Sequence, residues 1–155
     1  MIPREHSSQD LTARRSAPYR LLFICTGNAC RSPMAEGFAR HYGMGRIEAF
    51  SAGVSPSPLN PRAVRVMKEM NIDIADHVQT GLDALSVDTM DLVVTLCDYA
   101  QALSPRGRST QHRLHWSIND PTKLRGPDWL VLRAYRKVRD ELDQKIRGLL
   151  PAILK

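Results

Sequence analysis

The chain has 155 residues, the size of one ordinary domain, and its 43% hydrophobic and 25% charged residues exclude a disordered or fibrous protein. Lysine and arginine (22) exceed aspartate and glutamate (16), and the resulting net charge of +6 favours an anionic partner. The basic residues form no recognised nucleic-acid-binding motif, so we expect no nucleic-acid partner.

The first 18 residues predict a flexible leader, because they mix proline, serine, glutamine and charges without periodicity. Residues 19–155 then form a single catalytic domain. The leader has no apolar signal-peptide core, and no stretch of the chain approaches the ~20 apolar residues that cross a bilayer. Because three cysteines cannot all pair, we predict a reducing, cytoplasmic setting without membrane contact.

Apolar runs and amphipathic segments alternate along the domain. The predicted strands cover 21–25, 47–51, 91–97 and 112–118, and the predicted helices begin at Ser32–Pro33, at Asn60–Pro61, near 82–85 and at Asp128. Ser32 is the predicted N-cap of the first helix. This alternation predicts an α/β fold in three layers with a parallel sheet, and ligands are expected beyond the carboxyl ends of the strands.

The first predicted strand ends at a cysteine, which is followed by five residues and an arginine. The first predicted helix begins directly after this arginine. Small residues allow successive backbone N–H groups to form a nest for an oxyanion, and the helix dipole adds positive potential. Arg31 offers a bidentate fork to two oxygens, and the same groups favour the thiolate of Cys25. We therefore predict Cys25 as the catalytic nucleophile. The predicted oxyanion-binding residues are Thr26, Gly27, Asn28, Ala29, Cys30, Arg31 and Ser32.

Other uses of this loop lack their own signatures. Neither Gly-x-Gly-x-x-Gly nor Gly-Lys-Ser/Thr follows the first strand, which argues against a dinucleotide or nucleoside triphosphate site. The cysteines lack the paired spacing of a zinc site, and the five histidines, His77 included, show no ligand spacing. We expect no bound metal and no bound cofactor. The alternative for Cys25 is an inert buried cysteine before a turn.

Asp120 is the candidate general acid. Pro121 biases Asp120 toward an extended conformation that holds its carboxyl over the anion pocket. Cleavage of a bond from phosphorus or arsenic to oxygen requires a proton for the departing oxygen, which a carboxyl group can supply. The alternative is an ordinary Asp-Pro turn.

Cys97 ends the third predicted strand, at the same sheet edge as Cys25. A second thiol has no use in hydrolysis, but in redox chemistry it can attack the first sulfur. Its position therefore favours a redox reaction over hydrolysis. The alternative is a small hydrophobic side chain in the core.

Several motifs resemble the low-molecular-weight protein tyrosine phosphatase superfamily over residues 19 to about 150. They are Cys25-Thr-Gly-Asn-Ala-Cys-Arg-Ser-Pro-Met-Ala-Glu-Gly, Ser51-Ala-Gly and Asp120-Pro121. The segments that resemble its arsenate reductase branch are Asn60-Pro-Arg-Ala-Val, Met67-Lys-Glu-Met-Asn-Ile-Asp-Ile, Asp91-Leu-Val-Val-Thr-Leu-Cys97 and His115-Trp116. The resemblance implies a four-stranded parallel sheet flanked by helices. It also implies Cys25 as nucleophile, Arg31 as transition-state clamp, Asn28 and Ser32 as loop organisers, and Asp120 as acid.

Three positions depart from patterns of that superfamily. Thr122 follows the Asp-Pro pair where phosphatases commonly have a tyrosine that contacts an aromatic substrate. Ser104 stands where the thioredoxin-coupled reductases have a third cysteine. The potassium site of some reductases uses positions matching Asn28, Glu36 and Ser51 with an acidic residue, for which this chain has Thr80.

Arsenate reduction is the first functional hypothesis. Cys25 attacks arsenate, and Cys97 or an external thiol releases arsenite; the expected reductants are thioredoxin, glutaredoxin with glutathione, or mycothiol. The second hypothesis is hydrolysis of phosphomonoesters, possible phosphoproteins among them, through a cysteinyl-phosphate intermediate. An oxyanion-sensing module without turnover is the third, and the presence of Cys25, Arg31 and Asp120 argues against it.

Overall fold

Residues 17–105, 107 and 109–154 are described by the computed structural model. The predicted leader lies outside the described residues except for its last two positions. The strands are β1 (Tyr19–Cys25), β2 (Ile47–Gly53), β3 (Leu92–Thr95) and β4 (His112–His115). The helices are α1 (Arg31–Gly43), α2 (Pro61–Lys68), α3 (Asp98–Leu103) and α4 (Asp128–Ile153).

The four strands form one parallel sheet in the order β2-β1-β3-β4. β1 pairs with β2 from Tyr19↔Ile47 to Cys25↔Gly53, and it pairs with β3 on its other side. Its apolar residues fill both faces of the sheet, as the continuous run in the sequence predicts. The strand order reverses between β1 and β3, so the crevice beyond the carboxyl end of β1 is where this class of fold binds ligands.

Two apolar cores enclose the sheet and confirm the predicted three-layer α/β fold. On one face, α1, α2 and α4 pack around Phe23 and Tyr135. On the other face, the cover is thinner and consists of α3 with two short 3-10 turns, Leu82–Ala84 and Val87–Thr89. The long closing helix α4 begins at Asp128, as predicted. Among the described helices, none has the length and apolar character to cross a bilayer.

Four local predictions are wrong. The helix expected near 82–85 is a single 3-10 turn, because so short a segment does not repay helix nucleation. β4 ends at His115, three residues earlier than predicted. β3 ends at Thr95, so Cys97 lies beyond the strand and is the N-cap of α3, a helix that the sequence did not predict. α1 begins at Arg31 after Cys30, so Ser32 is not the N-cap.

Candidate active site

The loop between β1 and α1 is braced from outside by the segment 54–60, which we call the bracing segment. Four loop carbonyls accept hydrogen bonds from its backbone N–H groups. The pairs are Cys25 with Val54 (3.2 Å), Thr26 with Ser55 (2.8 Å), Gly27 with Ser57 (2.8 Å) and Ala29 with Asn60 (2.8 Å). The C=O and the next N–H of a trans peptide plane point in opposite directions. The N–H groups that follow these carbonyls are therefore turned to the other side of the loop, where they can form an anion nest.

Asn28 holds the loop in its turn. It is fully buried and has φ of 51°, a left-handed conformation that asparagine tolerates better than most residues. Its Oδ1 accepts hydrogen bonds from Thr80 N (2.8 Å) and His77 Nε2 (2.9 Å). Its Nδ2 donates to Ser32 Oγ at 2.9 Å. All the polar atoms of its amide group thus have partners that favour one loop conformation.

The hydrogen-bond chain that runs from Asn28 through Ser32 ends at Cys25. Ser32 Oγ lies 2.9 Å from Cys25 Sγ and already accepts a hydrogen from Asn28, so its own hydrogen is available to the sulfur. A hydroxyl donor favours the thiolate. Ser32 thus lies in the first turn of α1, and its side chain contacts the sulfur and does not cap the helix.

Cys30 has the opposite environment. It is 4% exposed, and burial raises the pKa of its thiol, with the neighbouring charge of Cys25 raising it further and Arg31 opposing both. A raised pKa keeps Cys30 protonated at neutral pH. Of the two loop cysteines, Cys25 is the one with a donor for a thiolate. All three cysteines, Cys25, Cys30 and Cys97, are free.

Arg31, the last of the predicted oxyanion-binding residues before Ser32, forms an ion pair with Asp120. Arg31 is 5% exposed and donates through Nη1 to the carbonyl of Ile118 at 3.0 Å. Its Nη2 lies 3.5 Å from Asp120 Oδ2. The structure thus brings the predicted clamp and the predicted acid together, although 89 positions separate them in the chain.

Cys97 contacts the loop at Thr26. Its Sγ is 3.3 Å from Thr26 Oγ1 and accepts a hydrogen bond from Ala100 N at 3.4 Å. The side chain is only partly buried. Cys97 therefore contacts the residue next to Cys25, although it is not at the end of a strand as predicted.

Sequence reasoning missed His77. Burial lowers the pKa of its imidazole, while the nearby Glu36 raises it to a lesser degree. Nε2 donates to Asn28, and Nδ1 lies 3.9 Å from Glu36 Oε1. The only signal in the sequence was indirect: a buried asparagine in a loop of small residues needs a partner, and a histidine can supply a donor.

The residues that match the potassium site of some reductases do not fit a cation here. Glu36 Oε1 accepts from Ser51 Oγ (2.7 Å), and Oε2 pairs with Arg40 (2.9 Å). The remaining oxygen ligand, Oδ1 of Asn28, has two donors already. Within 17–105, 107 and 109–154, no group of three or more His, Cys, Asp or Glu side chains is arranged around a metal site.

Comparisons with known proteins agree with the fold. A family profile described as low molecular weight phosphotyrosine protein phosphatase matches residues 20–155. A protein of Halalkalibacterium halodurans named arsenate reductase is 40% identical over 127 residues, which are 82% of this chain and 91% of that protein.

Solved structures of an arsenate reductase and of a low molecular weight protein tyrosine phosphatase share the fold of this chain. One is described as an arsenate reductase in the phosphate binding state; it has a TM-score of 0.75 and 31% identity, over 87% of this chain and 98% of that one. Another is a low molecular weight protein tyrosine phosphatase from T. tengcongensis, with a TM-score of 0.72 and 30% identity, over 86% of this chain and 99% of that one.

Proposed function

The chain belongs to the low molecular weight phosphotyrosine protein phosphatase family, and we propose that within this family it is an arsenate reductase that uses Cys25 as its nucleophile. The observation that carries this proposal is the position of Cys97, whose sulfur lies 3.3 Å from Thr26 Oγ1, beside the loop that begins at Cys25. A second thiol at the loop serves thiol redox chemistry and has no part in hydrolysis. Relatives named arsenate reductase, 40% identical in one case, support the same function.

In the first step, the loop N–H groups and Arg31 bind arsenate. The thiolate of Cys25 donates an electron pair to arsenic and forms an S–As bond. An As–O bond breaks, its electron pair stays with the oxygen, and Asp120 donates the proton with which this oxygen leaves as water. The arginine and the N–H groups stabilise the negative charge throughout this step.

In the second step, a thiolate attacks the sulfur of Cys25. An S–S bond forms, the S–As bond breaks, and its electron pair remains on arsenic, which leaves as arsenite. Two sulfurs are oxidised and arsenic is reduced from the pentavalent to the trivalent state. Cys97 is our candidate for this thiolate. Formation of the disulfide requires the two Cα atoms to come within about 7 Å.

An external thiol then returns the enzyme to its reduced form. Ser104 stands where the three-cysteine reductases have their last cysteine, so the internal relay ends at Cys97. Thioredoxin, glutaredoxin with glutathione, or mycothiol reduces the Cys25–Cys97 disulfide or takes the place of Cys97. Such thiols are abundant in the cytoplasm, which we propose as the location of the protein.

The experiment measures arsenite formed from arsenate by the purified full chain, with each of the three thiol systems supplied separately. Wild-type protein should complete many turnovers with at least one system, and Cys25→Ser should complete none.

Cys97→Ser should lose multiple turnover of arsenate, because only redox recycling needs the second sulfur. Its Cys25-dependent hydrolysis of an aryl phosphate should stay within about twofold of the wild-type rate. Unchanged arsenate turnover in Cys97→Ser would show that Cys97 is a packing residue.

Hydrolysis of phosphomonoesters is the second candidate function. It is supported by the same loop and by the likeness to the phosphatase from T. tengcongensis. Thr122 follows Asp120-Pro121 and offers no aromatic surface to a phosphotyrosine ring. Brisk Cys25-dependent hydrolysis of aryl phosphates, with no arsenite formed in any thiol system, would favour the phosphatase.

A further inference from the structure

The two carboxylate oxygens of Asp120 have different surroundings. Oδ1 accepts two hydrogen bonds from Thr122, one from its hydroxyl at 2.6 Å and one from its backbone N–H at 3.0 Å. Oδ2 lies 3.5 Å from Arg31 Nη2. Asp120 is also the N-cap of the 3-10 turn Pro121–Lys123, which fixes the carboxyl relative to Thr122. One oxygen therefore faces the turn and the other faces the arginine that would hold the oxyanion.

A carboxylate oxygen has two lone pairs, and both lone pairs of Oδ1 already accept hydrogen bonds. A proton on Asp120 is therefore held on Oδ2. Since Oδ2 is the oxygen on the Arg31 side, this is also the side on which a departing oxygen would need the proton. The side chain of Asp120 is 21% exposed, so its carboxyl group is in contact with solvent.

We propose that Thr122 is a positioning residue that directs the transferable proton of Asp120 to Oδ2. The inference rests on the proposed function, in which Asp120 gives its proton to the oxygen leaving arsenic. When that As–O bond breaks, the O–H bond at Oδ2 breaks too, water departs, and Asp120 is left as a carboxylate with Oδ1 still held by Thr122. Without the threonine hydroxyl, the carboxyl can rotate and place its proton on the oxygen that faces away from the arginine.

The test compares Thr122→Val, which removes the hydroxyl at nearly constant shape, with Thr122→Ser, which keeps it. Thr122 is exposed, so both variants should fold. Each substitution is made in the wild-type chain and with Asp120→Asn. The measurements are the first-turnover rate of arsenite formation by pre-reduced protein, followed by rapid quenching, and the dissociation constant of phosphate as an inert oxyanion.

Thr122→Val should slow the first turnover about fivefold, the size expected for one solvent-accessible hydrogen bond. Thr122→Ser should stay within about twofold of wild type. Phosphate affinity should not change, because the loop and Arg31 bind the anion without Thr122. With Asp120→Asn present, Thr122→Val should have no further effect on the rate, since the threonine acts through the carboxyl.

Equal rates for wild type and Thr122→Val would overturn the inference, and so would an equal loss in the presence and absence of Asp120→Asn. A wild-type rate in Asp120→Asn would overturn it as well, by removing the acid that Thr122 is said to position. A wild-type protein without any Cys25-dependent first turnover would contradict the proposed function itself, and the inference would fall with it.

Discussion

His77 is the first member of a hydrogen-bond chain that ends at the nucleophile. Its imidazole donates to Asn28, Asn28 donates to Ser32, and Ser32 is the donor beside Cys25. Each donor also fixes the direction of the next, so the conformation of the loop and the orientation of the hydroxyl beside its sulfur depend on one histidine. The order of donors requires His77 to carry its proton on Nε2.

The pH dependence of stability should report on His77. Because burial lowers its pKa in the folded state, the unfolded chain binds more protons than the folded chain at mildly acidic pH. The stabilisation is therefore complete above the unfolded value near 6.5 and is lost as the pH falls through the lower folded value. The free energy of unfolding, measured in urea, should fall more between pH 7 and pH 5 for wild type than for His77→Gln.

Glutamine suits this comparison because its amide can still donate to Asn28 but does not titrate. The matched control is His41→Gln, since His41 is exposed in the last turn of α1, where its ring packs against Tyr42. This control should follow the wild-type curve. Identical curves for wild type and His77→Gln would mean that His77 does not couple to pH in this way.

Single residues of the candidate site differ in how well the sequence reveals them. Cys25 and Arg31 belong to one short loop, and their spacing between a strand and a helix is readable directly. Asp120 is recognisable from the proline that follows it. His77 is not, because it reaches the loop from 49 residues away, and no local pattern records that contact.

Among the elements of the site, the loop and the carboxyl end of β2 are packed against each other. A Cβ atom added at Gly53 would lie 2.7 Å from the backbone nitrogen of Asn28 and 2.8 Å from the carbonyl carbon of Gly27. These are backbone atoms, so the clash cannot be relieved by a side-chain rotation. Glycine at this position allows the loop to lie directly on the strand.

Gly53→Ala should therefore displace the loop. We expect a loss of about 2 kcal/mol in the free energy of unfolding, which is in the range of overpacked sites, together with at least a tenfold weaker affinity for phosphate. The matched control is Gly148→Ala in α4, where an added Cβ meets no atom within 4 Å. Alanine there should raise stability by up to about 1 kcal/mol. Urea denaturation and calorimetric phosphate titration measure both effects, and unaltered phosphate affinity in Gly53→Ala would contradict the packing argument.

The elements that sequence reasoning predicted are the long or strongly patterned ones. β1 is apolar on both faces, and α4 repeats apolar residues over 26 positions. The helix α3 was missed because it has six residues, of which only Ala100 is buried, and so has no apolar periodicity to detect. Because α3 was not predicted, Cys97 was assigned to the end of the preceding strand. In the structure its sulfur accepts a hydrogen bond at the start of α3.

Across the whole molecule, the two faces of the sheet differ in thickness. Three helices cover one face, whereas α3 and short turns cover the other, on the side of Cys97. Cys97 is only partly buried beneath this thin cover, which suits the proposed exchange with an external thiol. The strand order was not predictable from the residues alone, because pairing partners such as Leu21 and Leu92 are distant in sequence.

The thicker face is held together at its surface by Glu69, which joins the end of α2 to α4. Its carboxylate accepts hydrogen bonds from Arg136 Nη2 at 2.8 Å and from Arg139 Nη1 at 2.7 Å. The hydrogen bond from Arg136 is the largest of the effects that lower the pKa of Glu69 to about 2. The stabilisation is therefore complete above the usual glutamate value near 4.5 and is lost as the pH falls through about 2.

Glu69→Gln should lower the free energy of unfolding by about 1 kcal/mol at pH 7, a value kept small because Glu69 is partly exposed to solvent that screens the pair. The difference from wild type should shrink in 1 M salt, because salt screens the charge pairing. It should also shrink as the pH is lowered from 5 to 3, because the unfolded chain then binds a proton that the folded Glu69 carboxylate still excludes. Glu48→Gln is the matched control: Glu48 pairs with Arg20 on the surface, and its loss should cost no more than about 0.5 kcal/mol. If Glu69→Gln remained equally destabilised at every pH and salt concentration, Glu69 would act through packing and not through its charge.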